Sequence, residues 1–404
     1  MFASLSGVTA VLLQVLGLAG LVGLSTPPKT PAATPVFAYQ SVCTNTDANA
    51  ACLAKVRRDS RGKFEAAASP KALPAGYSPQ QFRSAYGLGP TTTGTGSIAV
   101  ITAYDNPYAA SDLNKFDTTF GLPAFPSCTT ASQTGCFTKM SQTGSTTFMP
   151  FSNRGWALEA DLDVQIAHSM CPGCRLTLVE ANSNSFANLS AAIDRAVAIG
   201  AHVVSMSWGG SEFNTETNFD SHFNPASVNF VAASGDNGYG TGWPSASGKV
   251  ISAGGTSLHL DANGNRSSET VWSGTGSGCS LYESKPSWQA DTSCKQRTEN
   301  DLSADADPNT GAAIYSGYSP YGSGWFVIGG TSLSTPLIAG LVADAGAPAQ
   351  AAALQSLYSA QGSANLYDVI SGNDGSCSVS YYCTAKSGYD GPSGVGAPAG
   401  PGAF

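Results

Sequence analysis

The sequence predicts an α/β domain with a mainly parallel β-sheet and helices on both faces of that sheet. Short runs of β-branched and apolar residues, typical of buried parallel strands, recur through the middle of the chain. Single helical patterns separate several of these runs, and strands joined by one helix form right-handed crossovers. The 404 residues could hold two average domains, but one large domain accommodates them as well.

The first of these elements is a strand over 97–102. In chain order the pattern then predicts a helix over 156–170, a strand over 176–180, a helix over 185–199, strands over 202–207, 228–233 and 249–253, a strand over 325–328 and a helix over 337–345. In such sheets ligands bind beyond the carboxyl ends of the strands, so reactive side chains are expected there.

The N-terminal part differs from the rest. An apolar run over 8–24 precedes an A-x-A-like site at 36–38, which predicts a signal peptide over 1–38. The length of the run leaves an uncleaved membrane anchor as the alternative. Residues 39–75 lack a strong apolar period and are interpreted as a short prosegment or N-terminal extension, with the main domain over 76–404.

Composition narrows the class of protein. Charged residues make up 11% of the chain and the net charge is −8, which argues against a nucleic-acid partner. The ten cysteines fall into five sequence-local pairs, and an even count behind a predicted signal peptide favours disulfides and export: Cys43/Cys52, Cys128/Cys136, Cys171/Cys174, Cys279/Cys294 and Cys377/Cys383. Their connectivity stays open at this point.

Ser332 is the candidate nucleophile. It stands in Gly-Gly-Thr-Ser-Leu-Ser-Thr-Pro, between an apolar strand pattern and an apolar helical pattern. A serine on a Gly-rich turn between strand and helix is exposed at a sharp bend, beside the positive end of the helix. An ordinary turn that caps a helix would show the same residues.

Glu159 and Asp163 are the candidate base and its partner. A spacing of four residues places both carboxyl groups on one face of a helix. Two close carboxyl groups can share a proton in acid, where a histidine base would already be protonated. Asp161 points about 200° away from Glu159 on the helix and is not expected to join them.

A family resemblance joins these motifs. Glu-x-x-x-Asp at 159–163, Ser-Met-Ser-Trp-Gly at 205–209, Ser-Gly-Asp-Asn-Gly at 234–238 and Gly-Thr-Ser-x-x-x-Pro at 330–336 resemble, in type and order, the motifs of the sedolisins, serine-carboxyl peptidases with a subtilisin-like fold. No histidine stands in the motif that a subtilisin-type Ser-His-Asp triad requires.

The resemblance implies a role for each matched residue. Ser332 would be the nucleophile, Glu159 the general base, Asp163 its orienting partner and Asp236 the carboxylic acid of the oxyanion hole. The backbone of Ser207, Trp208 and Gly209 would pair with an extended substrate. Asp236 would donate to the oxyanion only while protonated, so activity should fail as the pH rises.

The C-terminal region resembles the calcium loop of the same family. The resemblance implies one Ca²⁺ ion bound by the carboxylates of Asp368 and Asp390 and by the carbonyl oxygens of Val369, Lys386 and Gly388. A surface loop closed by the Cys377/Cys383 pair is the alternative.

The sequence therefore predicts a secreted serine-type endopeptidase with one subtilisin-like catalytic domain. It is expected to act at acidic pH, as a monomer without stable membrane association, on unfolded or extended proteins and peptides. A catalytically inactive secreted homologue that serves as a binding module is the alternative. The extension is shorter than the usual family propeptide, and its Ala/Pro-rich end suggests self-cleavage near residues 71–76.

Overall fold

A sheet of eight strands forms the centre of the computed structural model, which describes residues 37–43, 49–59, 61–64, 73–89, 94–129 and 133–404. Almost all of the predicted signal peptide lies outside these residues. Within the described part of the chain, no helix is long and apolar enough to span a membrane.

The helices are α1 (Pro79–Ala85), α2 (Ala109–Phe120), α3 (Arg154–Met170), α4 (Phe186–Ala198), α5 (Thr331–Asp344) and α6 (Gln350–Ser359), with 3₁₀ turns at Glu216–His222, Ser380–Tyr382 and Pro401–Ala403. The strands are β1 (Ala38–Ser41), β2 (Ala51–Cys52), β3 (Lys55–Arg58), β4 (Ser97–Ala103), β5 (Cys136–Ser141), β6 (Arg175–Ala181), β7 (Val203–Met206), β8 (Trp208–Ser211), β9 (Asn229–Ala233), β10 (Gly242–Trp243), β11 (Ile251–Leu260), β12 (Arg266–Val271), β13 (Gly278–Ser284), β14 (Gln296–Glu299), β15 (Leu302–Asp305), β16 (Ala312–Ser319), β17 (Gly322–Gly329), β18 (Leu366–Tyr367) and β19 (Ala397–Pro398).

The central sheet has the order β12-β11-β9-β7-β4-β6-β5, and β15 pairs in parallel with β11. Only β12 runs antiparallel to its neighbour. Every residue of β7 and β9 is buried, and because side chains alternate between the faces of a strand, both faces of the sheet are covered. The predicted α/β fold with a mainly parallel sheet is confirmed.

Two smaller sheets include the N-terminal residues. β1 and β3 extend the β16–β17 hairpin into an antiparallel sheet of order β1-β3-β17-β16. β2 pairs antiparallel with β8, which also pairs with β10. Residues 37–404 therefore form one compact unit, and the described part of the predicted extension packs with the domain that follows it.

The five predicted cysteine pairs are all disulfides in the structure: Cys43–Cys52, Cys128–Cys136, Cys171–Cys174, Cys279–Cys294 and Cys377–Cys383. Each links residues at most 15 positions apart, so each closes a local loop. The disulfides therefore fix short segments, and the packed sheet and helices hold the distant parts of the chain together.

Candidate active site

Helix α3 carries Glu159 and Asp163 into the interior. Its first turn is capped by Asn153, whose side-chain oxygen accepts from the N–H groups of Gly155 and Trp156 at 3.0 and 3.1 Å. The helix is buried from Trp156 to its end, so both carboxyl groups are fully shielded from solvent. Because every side of this helix is buried, ionising the two carboxyl groups costs free energy.

The pKa of Glu159 lies well above its usual range, first because of burial and then because of repulsion from Asp163. Burial likewise raises the pKa of Asp163. The 2.6 Å hydrogen bond from Ser207 Oγ to Asp163 Oδ1 lowers that pKa in part. At acid pH the pair therefore shares a proton that exposed carboxyl groups would already have lost, and its other carboxyl group stays able to accept a second proton.

Ser332 lies in the first turn of α5, directly after β17. Its Oγ donates to the carbonyl oxygen of Ser207 at 3.2 Å, and its hydroxyl lowers the pKa of Glu159. The serine and the carboxyl pair therefore come together, as the resemblance implied. The helix begins at Thr331, six residues before the predicted start at Leu337, so Ser332 belongs to the helix and not to a preceding loop.

Pro336 explains why the helix start was misplaced. Proline inside a helix removes the N–H that would bond to the carbonyl four residues earlier, here that of Ser332. In the structure Ser207 Oγ lies 3.3 Å from this carbonyl, but its single hydrogen points mainly to Asp163, the nearer acceptor at 2.6 Å. The Ser207 hydroxyl therefore contacts both the carboxyl group of Asp163 and the backbone of Ser332.

Asp236 faces the same cleft from the carboxyl end of β9. Its Oδ1 accepts from both the N–H and the hydroxyl of Thr331, at 2.7 and 2.9 Å. Its Oδ2 is buried and has no hydrogen-bond partner among the described residues. Burial raises the pKa of Asp236 to about 6, so in acid the proton resides on Oδ2, the oxygen that is not already accepting.

Ser207, Trp208 and Gly209 form one edge of the cleft through their backbone. Trp208 itself is fully buried and donates from its indole N–H to the carbonyl of Ile101 at 3.1 Å, so its side chain belongs to the core. The edge, expected to be exposed, is occupied by β2, in which Ala51 pairs with Gly209.

A cavity of about 190 Å³ adjoins this edge. Leu53 lines it, and the Leu53 Cδ1 lies 3.7 Å from where a Cβ on Gly209 would stand. Ser245 also lines the cavity, and its hydroxyl donates to the buried Glu299. Burial holds the pKa of Glu299 well above its usual range, so the partner of Ser245 is neutral in acid.

The residues excluded on sequence grounds lie elsewhere. Asp161 accepts from Asn106 at 2.7 Å. His168 lies 3.3 Å from Asp117, and His222 lies 2.8 Å from Asp194. In the described part of the chain, these two histidines therefore pair with aspartates outside the surroundings of Ser332.

Asp368 and Asp390 lie against the same loop, residues 386–388. Asp390 accepts from the N–H of Lys386 at 2.9 Å, and Asp368 accepts from the N–H of Gly388 at 3.0 Å. Among the described residues, no group of three or more Asp, Glu, His or Cys side chains is arranged so that it could hold a metal ion. Two carboxylates beside one loop supply oxygen donors of the type that Ca²⁺ takes, although in the structure both accept from N–H groups of that loop.

Thr331 and Ala54 are site residues that the sequence motifs did not single out. Thr331 is part of the nucleophile motif, but its contact with Asp236 depends on the distance between β9 and α5. Ala54 donates its backbone N–H to Glu159 Oε2 at 3.1 Å. No side-chain pattern reveals such a backbone contact.

Comparisons with known proteins agree with this geometry. The model of the subtilase family matches residues 155–357. Sedolisin from Pseudomonas sp. (strain 101) is 31% identical over 388 residues, which cover 85% of this chain and 62% of that protein. Kumamolisin from Bacillus sp. (strain MN-32) is 31% identical over 72% of this chain and 55% of its own length. The chain thus spans between half and two thirds of the length of these relatives.

A solved structure supports the same assignment. Pseudomonas sedolisin, a serine-carboxyl proteinase complexed with two molecules of pseudo-iodotyrostatin, superimposes with a TM-score of 0.68 at 29% identity. The match covers 80% of this chain and 95% of that structure. The psychrophilic protease S41, at 21% identity and a TM-score of 0.50, shares the fold. The chain belongs to the subtilase family and, within it, to the sedolisins.

Proposed function

We propose that this protein is a secreted serine-type endopeptidase that hydrolyses peptide bonds of unfolded or extended proteins at acidic pH. One observation carries the proposal. A buried carboxyl pair adjoins Ser332 on one side of the cleft, and a buried carboxyl oxygen without a partner, Asp236 Oδ2, faces the cleft from the other side. Such an arrangement provides a base, a nucleophile and an oxyanion donor.

Glu159 acts as the general base in this proposal. It takes the proton of Ser332 as the Oγ attacks the substrate carbonyl carbon, and it then returns that proton to the leaving nitrogen. Asp163 positions Glu159 and shares the proton of the pair, while Ser207 keeps Asp163 in place through its 2.6 Å hydrogen bond. The attack leaves the acyl part of the substrate as an ester on Ser332. A water molecule then attacks this ester while Glu159 takes its proton, and the Ser332 hydroxyl is restored.

Asp236 stabilises the negative charge that develops on the carbonyl oxygen. Its Oδ2–H donates to the oxyanion while Thr331 fixes the other carboxyl oxygen. Above a pH of about 6 the group ionises and repels the oxyanion instead of stabilising it. The activity should therefore decline towards neutral pH.

The substrate binds as an extended strand along Ser207, Trp208 and Gly209, because the backbone of this edge pairs with a strand in the structure. The five disulfides support secretion, since disulfides persist in oxidising compartments. Asp368, Val369, Lys386, Gly388 and Asp390 would hold one Ca²⁺, whose charge would tie the 386–388 loop to the segment around Asp368.

The test is the pH profile of hydrolysis of an unfolded protein by the wild type, Ser332→Ala and Glu159→Gln. We expect activity in acid that falls above a pH of about 6 and is lost in both variants. Asp161→Asn is the matched control, because Asp161 lies on the same helix but contacts Asn106. Activity that survives Glu159→Gln would overturn the proposed base.

An inactive binding homologue makes a different prediction. Such a protein would show no hydrolysis at any pH and would form no covalent adduct with a peptide aldehyde, although it would still bind peptides. Measuring the adduct by mass spectrometry separates this outcome from an enzyme that is merely assayed with a poor substrate.

A further inference from the structure

Phe148 and Phe151 are 83% and 91% exposed to solvent. Among the described residues, the next most exposed large apolar side chain is that of Leu281, at 69%. With Met149 and Pro150 between them, the two phenylalanines form a short apolar projection, residues 148–151, here called the aromatic tip. Rings left in water give up the free energy that burial would gain, and an exposed apolar surface of this kind marks an interaction site.

Hydrogen bonds hold both ends of the aromatic tip. Before it, Ser145 Oγ accepts from the N–H of Phe148 at 2.8 Å. After it, the carbonyl of Phe151 accepts from the N–H of Asp105 at 3.0 Å, and Ser152 Oγ donates to the Asp105 carboxylate at 3.3 Å. The loop therefore presents the two rings in a fixed position, so a partner meets a surface that is already organised.

A chain of contacts connects the tip with the strand-pairing edge of the active site. Asp105 follows Tyr104, which stands directly after β4 and has a φ of +64°, a conformation that residues other than glycine rarely adopt. The Tyr104 hydroxyl donates to Asn184 Oδ1 at 3.1 Å. The N–H of Ala50 donates to the Asn184 carbonyl at 3.0 Å, and Asn184 Nδ2 donates to the Ala50 carbonyl at 2.6 Å. Ala50 directly precedes β2, the strand that pairs with this edge at Gly209.

A substrate strand on the same edge would lead from the nucleophile towards the tip. β2 runs antiparallel to β8, and its N-terminal end lies towards Gly209 and then Asn184. Its other end lies beside Ser207, whose carbonyl accepts from Ser332 Oγ. A substrate paired in this way directs the residues before its cleaved bond past Asn184. Because a strand advances about 3.3 Å per residue, only a long chain reaches the tip.

The chemistry of the surrounding loop fits an unfolded polypeptide. Residues 140–153 contain no Asp, Glu, Lys or Arg. Of the two cations that flank this stretch, Lys139 forms an ion pair with Asp105, and Arg154 lies over the ring of Tyr318. The tip therefore lacks the basic residues that attract anionic lipids to an apolar membrane-binding loop. Neutral rings instead suit the apolar side chains that folded proteins bury and unfolded chains expose.

We propose that the aromatic tip is a second substrate-binding site, which holds apolar side chains of an unfolded protein several residues before the bond that is cut. This inference rests on the proposed peptidase function and adds to it a preference for long substrates with apolar residues in that part. The tip contacts no reacting atom, so it acts on the binding of long substrates and not on the chemical step.

The first experiment measures hydrolysis of two substrates in acid by the wild type and by the double variant Phe148→Ser/Phe151→Ser. One substrate is an unfolded protein, and the other is a peptide with about four residues before the cleaved bond, which pairs with the edge but ends before the tip. We expect the double variant to raise KM for the unfolded protein by about tenfold and to leave kcat/KM for the short peptide unchanged.

Leu281→Ser is the matched control, since it removes an exposed apolar side chain of β13 outside the tip, and should change neither substrate. Circular dichroism checks that each variant is folded. An equal change for both substrates would overturn the second site, because a site that only long chains reach cannot affect the short peptide. An unchanged KM for the unfolded protein would overturn it as well. A wild type that hydrolyses neither substrate overturns the peptidase function and this inference together.

A second experiment identifies the partner by equilibrium binding with Ser332→Ala, which allows binding without hydrolysis. We expect this variant to bind a reduced and carboxymethylated protein with a Kd about tenfold lower than the same variant that also carries Phe148→Ser and Phe151→Ser. Vesicles of phosphatidylcholine and phosphatidylglycerol test a membrane as the partner, and analytical ultracentrifugation tests a second copy of the chain. Tip-dependent binding to vesicles, or a tip-dependent dimer, in place of binding to the unfolded protein would overturn the proposal.

Discussion

At the scale of single residues, the protonation of Asp236 links chemistry to pH. Its Oδ1 accepts two hydrogen bonds from Thr331, which leaves Oδ2 to carry the proton. An amide in the same place would keep one accepting oxygen and would always present an N–H donor.

Asp236→Asn should therefore keep the oxyanion donor at every pH. We expect the decline of activity above a pH of about 6 to move to higher pH, because the amide does not ionise. Asp236→Ala, which lacks a donor, should lower kcat by about 10²–10³-fold across the profile. The pH dependence of kcat/KM checks both. An unchanged alkaline limb in Asp236→Asn would assign that limb to another group.

Gly330 is a second residue whose identity the cleft requires. Its φ is +96°, a conformation that other residues rarely adopt, and an added Cβ would lie 2.0 Å from the carbonyl oxygen of Leu53. Gly330→Ala should lower kcat/KM by at least about 100-fold, since the methyl group would lie 2.6 Å from Asp236 Oδ2, the proposed oxyanion donor. Circular dichroism and a peptide-aldehyde binding assay separate a blocked cleft from an unfolded protein.

The residue scale also shows what the sequence could and could not reveal. The spacing of Glu159 and Asp163 predicts their common face, because helix geometry is local. The position of the Asp236 proton could not be predicted, because it depends on Thr331, which is 95 residues away in the chain.

At the scale of elements, Ser207 contacts both the carboxyl pair on α3 and the first turn of α5. It stands between β7 and β8, donates to Asp163 and approaches the carbonyl of Ser332 that Pro336 leaves without a helical donor. A proline inside a helix costs about 3 kcal/mol, and the Ser207 hydroxyl, whose one hydrogen goes to the nearer Asp163, leaves most of that cost in place.

Ser207→Ala should reduce kcat by about 10- to 100-fold with a smaller effect on KM, because the substrate pairs with the backbone, not with this side chain. It should also shift the acid limb of the pH profile, since Asp163 loses the hydrogen bond that opposes its raised pKa. Ser205→Ala is the matched control, a buried serine in the preceding strand. An unchanged acid limb would show that Ser207 only supports packing.

The loop over 386–388 gives a further prediction for an element. If Asp368 and Asp390 hold Ca²⁺, adding calcium should raise the thermal unfolding temperature of the wild type, and a chelator should lower it. Asp368→Asn should weaken that response, because it removes one charged ligand. Scanning calorimetry with magnesium as the control ion checks this without reference to activity. A wild type that does not respond to calcium would contradict the site.

Sequence patterns predicted most central elements but misplaced the start of α5. The pattern of α3 predicts 156–170, and the helix spans Arg154–Met170. The start of α5 at Thr331 was missed because proline usually marks the first turn of a helix, whereas Pro336 stands inside this one. The pairing of β2 and β3 in the cleft was missed as well, since strand pairing depends on distant residues.

At the scale of the whole molecule, buried carboxyl groups make stability depend on pH. Burial raises the pKa of Glu180 to about 9, that of Glu216 to about 9 and that of Glu283 to about 7. The folded protein therefore keeps protons that the unfolded chain releases above about pH 4.5. Their contribution to stability is full below that pH and is lost as the pH rises towards 9.

The denaturant midpoint should therefore be higher at about pH 4 than at about pH 8. Glu180→Gln should reduce this difference, because glutamine imitates the protonated acid and can still accept from the N–H of Asn106. Asp194→Asn, at an exposed carboxyl group outside the set of three, tests whether any acidic residue would do the same. A midpoint that rises with pH in the wild type would contradict the sign of these shifts.

The pattern of disulfides decides what kind of force holds the N-terminal strands to the domain. Cys43–Cys52 lies within the N-terminal part, and the other four disulfides join residues from Cys128 onwards, so no disulfide links one part to the other. The strands β1, β2 and β3 are therefore held by backbone hydrogen bonds and by buried side chains. A reducing agent would open all five disulfides and leave these contacts intact, so reduction alone should not detach β2 from the edge formed by Trp208 and Gly209.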